Sequence, residues 1–391
     1  MAGIYIHIPF CKQACHYCNF HFSTSLALKN DFTAALLKET GLRSAYLQKE
    51  IVETIYFGGG TPSLLLETEI AAILQNIHRH FNVRENAEIT LEANPDDVSP
   101  EALKAWKRTG INRLSLGVQS FFREDLLWMN RVHNEKQAFD SIRDAQSAGL
   151  DNISIDLIYG LPGLTDARWK ENIGHAVSLQ IPHLSCYALT VEPKTALYKR
   201  IELGKMQDVV PEDQARQFLE GIQWLEESGY EHYEISNFAK PGKRSQHNSA
   251  YWLSEKYLGL GPSAHSFNGK TRQWNIANNN LYIQSLAQNE LNFELETLKP
   301  TDRLNEYIMT SLRTMEGLDL RQVLHEFGSG KRNQLEQNAS KYINLGQLKN
   351  ENGKLILTLK GKLFADGIAG GLFFVEQRDG DRGWQIVDGL T

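Results

Sequence analysis

The sequence predicts an α/β protein, a partial (β/α)6 barrel of the TIM-like type followed by a small α+β domain at the C-terminal end. Two observations carry this. From residue 3 to 190 one unit recurs six times, a short β-branched or aromatic run followed by a longer stretch with helical spacing. Four of the runs end in polar or glycine-rich residues, which suits strand ends converging on one barrel mouth better than the separate crevices of an open sheet. The length of 391 residues fits two or three domains at roughly 150 residues each.

The strand-like runs cover residues 4–8, 51–57, 87–92, 113–118, 153–158 and 183–189. Helical spacing follows them, as in Leu65, Ile70, Ile73, Leu74 and Ile77, or in Ala102, Leu103 and Trp106. Consecutive parallel strands joined by right-handed crossovers form either a doubly wound sheet or a full or partial barrel, and the strand ends favour the barrel. The second run leads into Gly58-Gly59-Gly60-Thr61-Pro62, the third into Glu92-Ala93-Asn94-Pro95 and the fourth into Gly117-Val118-Gln119-Ser120. The fifth carries Asp156 before Tyr159-Gly160-Leu161-Pro162, so four independent endings point to one shared pocket.

Beyond residue 190 the repeat is lost. A helix is expected over 211–228, a strand over 233–235, and a Gly-, Ser- and Asn-rich stretch from 237 to 280. Leu304, Tyr307, Ile308 and Leu312 form a helical stripe, and residues 355–359 and 372–375 read as short strands, giving a winged-helix-like arrangement. The expected division is a barrel at 1–235, a connecting region at 236–295 and a C-terminal domain at 296–391.

Composition narrows the function. Hydrophobic residues make up 41% and charged residues 23%, as in ordinary globular proteins. The 47 acidic residues outnumber 41 Lys plus Arg, and no basic cluster or basic recognition helix appears, so nucleic acid is not an expected partner. No run approaches the roughly 20 apolar residues of a spanning helix. Met1 leads directly into the alternating Gly3-Ile4-Tyr5-Ile6-His7-Ile8 rather than a signal peptide's apolar core, which places the chain in the cytoplasm.

In that reducing compartment, three of the four cysteines fall in one short segment, Cys11-Lys12-Gln13-Ala14-Cys15-His16-Tyr17-Cys18, and Cys186 reads as a buried strand residue. The spacing C-x3-C-x2-C lets three thiolates face one centre. One reading is structural zinc, with His16 or His21 as the fourth ligand. The other is a 4Fe-4S cube with three corners held and the fourth iron open, because ordinary electron-transfer clusters use four cysteines. An open coordination site signals chemistry.

Together with Gly58-Gly59-Gly60-Thr61-Pro62, the cysteine loop resembles the radical S-adenosylmethionine (SAM) superfamily. In that superfamily the amino and carboxylate groups of SAM chelate the open iron, and an electron from the cluster cleaves the sulfonium. The resemblance implies a 4Fe-4S cluster on Cys11, Cys15 and Cys18. The glycines let the main chain approach SAM and Thr61 adds a polar contact. It further implies that Tyr5 lies near SAM and that Gly59 and Gly60 contact its methionine part. Glu92 resembles the carboxylate that engages SAM, while Gln119, Arg131 and Asp156 resemble the polar residues around the mouth. Tyr17 either packs on adenine or shields the cluster.

The resemblance extends over nearly the whole chain. Tyr5-Ile6-His7-Ile8-Pro9-Phe10-Cys11, Thr90-Leu91-Glu92-Ala93-Asn94-Pro95, Leu116-Gly117-Val118-Gln119-Ser120-Phe121 and Arg131-Val132-His133 are similar to the oxygen-independent coproporphyrinogen III oxidase-like family. That family holds a porphyrinogen dehydrogenase and a branch of heme chaperones. The dehydrogenase has a fourth cysteine where this chain has Phe20, and an N-terminal extension where this chain reaches Tyr5 almost at once. The stretch His247-Asn248-Ser249-Ala250-Tyr251-Trp252 matches the chaperones' H-N-x-x-Y-W signature, in which His247 would offer an axial nitrogen to heme and the two aromatics a flat surface. His265 is a secondary candidate.

The resemblance therefore implies heme as cargo, respiratory membrane enzymes as acceptors and at most peripheral membrane contact, with a homodimer left open. SAM cleavage would be weak or partner-dependent, and no residue is assigned as catalytic. Two alternatives stand beside this reading: the porphyrinogen oxidative decarboxylase itself, and a structural zinc protein.

Overall fold

The computed structural model describes residues 2–375, so residues 376–391 of the expected C-terminal domain lie outside the described residues. The chain forms two compact units, Met1–Thr297 and Leu298–Thr391.

The first unit begins with β1 (Ala2–Ile8), α1 (Lys29–Leu42), β2 (Val52–Gly59), α2 (Glu67–His80), β3 (Val83–Ala93) and α3 (Pro100–Thr109). It continues with β4 (Arg113–Gln119), α4 (Arg123–Trp128), α5 (Glu135–Ser147), β5 (Ile153–Tyr159), α6 (Asp166–Ser178) and β6 (His183–Ala188). These six strands pair in parallel and in chain order. The helices start and stop where their chemistry dictates. In α3, Ser99 caps the first turn by accepting from the Ala102 N–H, Pro100 opens the helix, and Gly110 at φ 103° closes it.

Alternation along each strand separates two faces. Ile4, Ile6, Ile8, Ile55, Phe57, Leu91, Leu114 and Leu116 are wholly buried and form the apolar face. On the other face the register aligns Tyr5 with Tyr56, Tyr56 with Thr90, Glu92 with Ser115, and Ser154 with His183. A barrel interior is ordinarily filled by layers of branched apolar side chains. The polar interior here departs from that rule.

Next come α7 (Ala196–Glu202), α8 (Pro211–Glu227), β7 (Glu231–Glu234), β8 (Asn237–Ala239), α9 (Gln246–Trp252) and β9 (Lys256–Leu260). The unit ends with β10 (His265–Phe267), β11 (Thr271–Asn275), α10 (Asn279–Ala287) and β12 (Phe293–Thr297). The twelve-stranded sheet has the order β12-β11-β10-β9-β1-β2-β3-β4-β5-β6-β8-β7. The Gly-, Ser- and Asn-rich stretch therefore belongs to the same sheet: β9 pairs parallel to β1, and β8 antiparallel to β6.

The second unit contains α11 (Pro300–Leu312), β13 (Leu318–Asp319), α12 (Leu320–Asn344), β14 (Leu348–Glu351), β15 (Lys354–Leu357), α13 (Leu359–Lys362) and α14 (Ala365–Gly371). Its sheet order is β13-β15-β14, and of the two expected strands only 355–359 overlaps one, β15, whose hairpin partner is β14. Residues 372–375, expected as a strand, are not one. Leu372 caps α14, and Phe374 is pinned by the Asn305 amide, which donates to its carbonyl (2.9 Å) and accepts from its N–H (2.8 Å). A side chain thus replaces the strand partner, and Leu372 and Phe374 are buried without a ladder.

Among the described residues no helix is long and apolar enough to cross a membrane.

Candidate active site at the barrel mouth

The cysteine segment leaves the C-terminal end of β1 as a loop tied down at both flanks. The Cys11 N–H donates to the Ser23 carbonyl (3.0 Å) and the Ser23 N–H to that of Pro9 (2.9 Å). The His16 N–H reaches the Met129 carbonyl (3.2 Å), and the Asn130 amide donates to the carbonyl of Ala14 (2.7 Å). Lys12 pairs with Asp96 and Asp97 beyond β3. A segment with little core of its own is thereby fixed across the barrel mouth.

Cys11, Cys15 and Cys18 are free, partly exposed thiols that line one cavity of ≈ 460 Å³. Burial pushes the Cys11 thiol up and the Cys18 thiol up to about 11. They hold their protons at neutral pH until a metal centre replaces them. Among the described residues no three His, Cys, Asp or Glu side chains gather as a single metal ion would require. Each of the two histidines considered for a zinc set has one ring nitrogen bonded within the protein: His16 Nδ1 lies 2.9 Å from the Trp128 carbonyl and His21 Nε2 2.8 Å from Asn279 Oδ1. The donor set suits a multi-iron cluster better than a tetrahedral ion.

The wall opposite the cysteines is the Gly58-Gly59-Gly60-Thr61 turn. Gly59 sits at φ 104°, in the left-handed region, and its N–H donates to Glu92 Oε2 (3.2 Å). Gly60 packs directly on the cysteine loop. A Cβ there would stand 2.6 Å from the Phe10 carbonyl oxygen and 2.8 Å from that of Ile8. Gly60→Ala is therefore expected to push the turn and the loop apart. Iron retained after reconstitution should fall, and SAM affinity should drop at least about tenfold, by iron analysis and equilibrium titration.

Two carboxylates and one guanidinium complete the floor. The Tyr56 hydroxyl donates to Glu92 Oε1 (2.7 Å). Burial pushes Glu92 up to about 8, against the pull of the Tyr56 hydrogen bond, and Asp156 up to about 6, against one from Ser185. Arg131 donates to Cys15 Sγ (3.2 Å), Asn94 Oδ1 (2.6 Å) and the Gly117 carbonyl (2.9 Å). Its buried Nε–H has no partner. Carboxylates short of positive charge and a guanidinium with a spare donor fit a ligand carrying both an ammonium and a carboxylate. Gln119 lines the same cavity at φ 64°, the strained backbone a functional position can hold.

The structure thus brings Cys11, Cys15, Tyr17, Cys18, Gly59, Gly60, Thr61, Glu92, Gln119, Arg131 and Asp156 around one cavity. Tyr5 lies behind that lining, stacked on Tyr56 at 6.1 Å between ring centres, with its hydroxyl 3.2 Å from His7 Nδ1. His247, expected as a heme ligand, is not among the residues lining the cavity. It is 2% exposed, with Nδ1 2.7 Å from Thr54 Oγ1 and Nε2 3.0 Å from the Tyr251 hydroxyl, so neither ring nitrogen is open to iron. His265 lies on β10, stacked on Trp274.

Residues that the sequence reading did not single out also belong here. Asn94 donates to Thr61 Oγ1 (3.3 Å) while accepting from Arg131, and Tyr56 holds Glu92. Both sit within two residues of a singled-out position, the one local signal available. At the rim, Phe20 (67% exposed) and Tyr187 (43%) stand with Phe22, Ile158 and Leu189 in an apolar collar. Arg131 is the cavity's one Lys or Arg among the described residues.

Comparison with known proteins adds three findings. Residues 5–176 match the radical SAM superfamily model and residues 298–364 that of the HemN C-terminal domain. The heme chaperone HemW of Bacillus subtilis is 34% identical over 374 residues, covering 95% of this chain and 98% of that protein. HemW of Escherichia coli is 39% identical over 270 residues, 67% of this chain and 69% of its own. Among solved structures, the coproporphyrinogen III oxidase HemN of Escherichia coli, described as a radical SAM enzyme, superposes with a TM-score of 0.83. The match covers 95% of this chain and 90% of that one at 23% identity, a likeness of fold. A radical SAM domain implies a 4Fe-4S cluster and SAM.

Proposed function

We propose, from the premise that the chain belongs to the heme chaperone HemW family of radical SAM proteins, that it binds heme and passes it to respiratory membrane enzymes from the cytoplasm. Cys11, Cys15 and Cys18 hold the cluster. Gly59, Gly60 and Thr61 receive the methionine part of SAM, Glu92 its amino group, and Gln119, Arg131 and Asp156 its remaining polar groups. Tyr17 flanks the cluster, and Tyr5 backs the pocket through Tyr56. When bound, the cluster supplies an electron to the sulfonium.

The observation that carries the heme reading is the cavity's collar. Phe20 stands where a porphyrinogen dehydrogenase has a fourth cysteine, and with Tyr187 it offers exposed aromatic surface to a flat apolar macrocycle. The dehydrogenase reading would require the cavity to receive a substrate bearing four carboxylates. Its single guanidinium already donates to Cys15, Asn94 and Gly117 and keeps only its Nε–H to offer. That favours heme over porphyrinogen.

The deciding experiment is anaerobic. Cluster-reconstituted protein receives hemin in one vessel, and coproporphyrinogen III with SAM and reductant in another. Stable hemin absorbance without porphyrinogen turnover is expected, and hemin should pass to a heme-free membrane acceptor. Formation of protoporphyrinogen IX would replace the chaperone reading by the enzyme.

The Glu92 carboxyl also sets a pH dependence. In the free protein it holds its proton up to about pH 8, and the N–H groups of an arriving amino group favour the carboxylate as acceptor, so binding releases a proton. SAM affinity is expected to rise as pH increases through 8 and to level off above it. Calorimetry in two buffers of different ionisation enthalpy reads the released protons, and Glu92→Gln should lower their number by the share that Glu92 gives up.

A further inference from the structure

Helix α9, which carries His247, Tyr251 and Trp252, lies against the N-terminal halves of β1 and β2, the end of the barrel away from the cysteine loop. It is locked there from two sides. Ser245 caps it by accepting from the Asn248 N–H (3.3 Å), and the buried Glu88 of β3 accepts from the N–H groups of Gln246 (3.0 Å) and His247 (3.2 Å). The His247 ring fills the barrel interior. It bonds Thr54 of β2, and a Cβ on Gly3 would meet the ring at 3.2 Å, so a larger residue at position 3 has no room.

The ring then makes the contact that matters. It stacks on Tyr56 at 5.0 Å and 23°, and on Tyr5 at 6.4 Å and 27°. Tyr56 is a lever with two ends. Its ring face rests on His247, and its hydroxyl donates to Glu92 Oε1, whose other oxygen receives the Gly59 N–H. One continuous chain of contacts therefore runs from α9 through His247 and Tyr56 to the carboxylate at the cavity wall. Burial pushes the imidazole down to about 3, so the ring is neutral and packs without a charge to satisfy.

We infer that the H-N-x-x-Y-W helix is a plug that positions Glu92 from beneath, His247 and Tyr56 being positioning residues for the SAM pocket. The inference rests on the reading of Glu92 as a SAM contact. A hydroxyl fixed at 2.7 Å pre-aims the carboxylate, and the stacked imidazole keeps that hydroxyl from swinging away.

The test uses the full-length, cluster-reconstituted protein with Tyr56→Phe, His247→Ala and His247→Gln. Each is titrated anaerobically with SAM, followed by the change in the electron paramagnetic resonance signal of the reduced cluster, and separately with hemin, followed by absorbance. Tyr56→Phe keeps the ring and its stacking, and is expected to weaken SAM about tenfold with hemin binding unchanged. His247→Ala should weaken SAM similarly, and His247→Gln, whose amide still reaches Thr54, should recover part of the loss. Unchanged SAM titration in Tyr56→Phe overturns the inference, as does loss of hemin with full SAM affinity in His247→Ala. If His247→Ala does not fold, Tyr56→Phe decides alone. A parent protein that takes up no SAM overturns the reading of Glu92 itself, and the inference with it.

Discussion

Cys11→Ala, Cys15→Ala and Cys18→Ala are each expected to abolish the iron–sulfur absorbance of the anaerobically reconstituted protein, whereas Cys186→Ala leaves it intact. The three loop thiols line the cavity on one tethered segment, and a cube held at three corners has no substitute donor when one is lost. Among the described residues the nearest histidines in sequence, His16 and His21, are bonded to Trp128 and Asn279. Cys186 is 3% exposed on β6, outside the cavity lining. Far-ultraviolet dichroism should stay native in all four variants, since the loop is held by backbone bonds and by Lys12 rather than by its thiols. Full absorbance in Cys15→Ala would sink the assignment of the cluster.

Glu39→Ala is expected to cost about 3–5 kcal/mol of stability, the typical penalty for leaving a buried charge without its partner. Glu39, on α1, is 1% exposed and accepts four hydrogen bonds: Arg43 Nε (2.9 Å), Asn275 Nδ2 (2.7 Å), the Gly261 N–H (2.9 Å) and the Tyr282 hydroxyl (2.6 Å). Arg43, 4% exposed, in turn donates to Gln273 Oε1 and Asn275 Oδ1. One carboxylate thus ties α1 to β11, α10 and the turn after β9. Alanine leaves the Arg43 charge and three further donors short of an acceptor. Glu39→Gln, which keeps the shape, should cost about 1–3 kcal/mol. Urea unfolding measures both, and hydrogen exchange should show the loosening first in β9–β11. A loss for Glu39→Ala below about 1 kcal/mol would mean that water replaces the network without penalty.

The barrel and most of its mouth were legible in the sequence because their signals are local. Each of the six runs alternates or stays apolar over its own length, and a parallel strand needs nothing more to be recognised. The cysteine spacing, Gly58-Gly59-Gly60-Thr61-Pro62 and the polar strand ends are likewise short, and a shared mouth follows once the strands are parallel. The stretch from 237 to 280 was not legible in the same way. Its strands β8, β10 and β11 are three to five residues long, and their partners make them strands: β8 adds to the edge of β6, while β10 and β11 add outward from β9, itself laid on β1.

His247 marks the boundary between the two kinds of information. Its neighbours in sequence present a histidine and two aromatics that suit a heme; Tyr251, four residues on, engages Nε2, but nothing local says that Nδ1 is engaged as well. Burial and the partners Thr54, Tyr56 and Glu88 come from strands far away in the chain. The sequence by itself determined the strand–helix periodicity, the cysteine loop and the residue types at the strand ends, because each depends on side chains a few positions apart. Only the tertiary structure decided which polar groups meet in the cavity, which ones satisfy each other beneath it, and that Glu92 is held from the far end of the barrel. The physical reason is that hydrogen-bond satisfaction and burial are properties of the closed barrel, created when strands distant in sequence come into register.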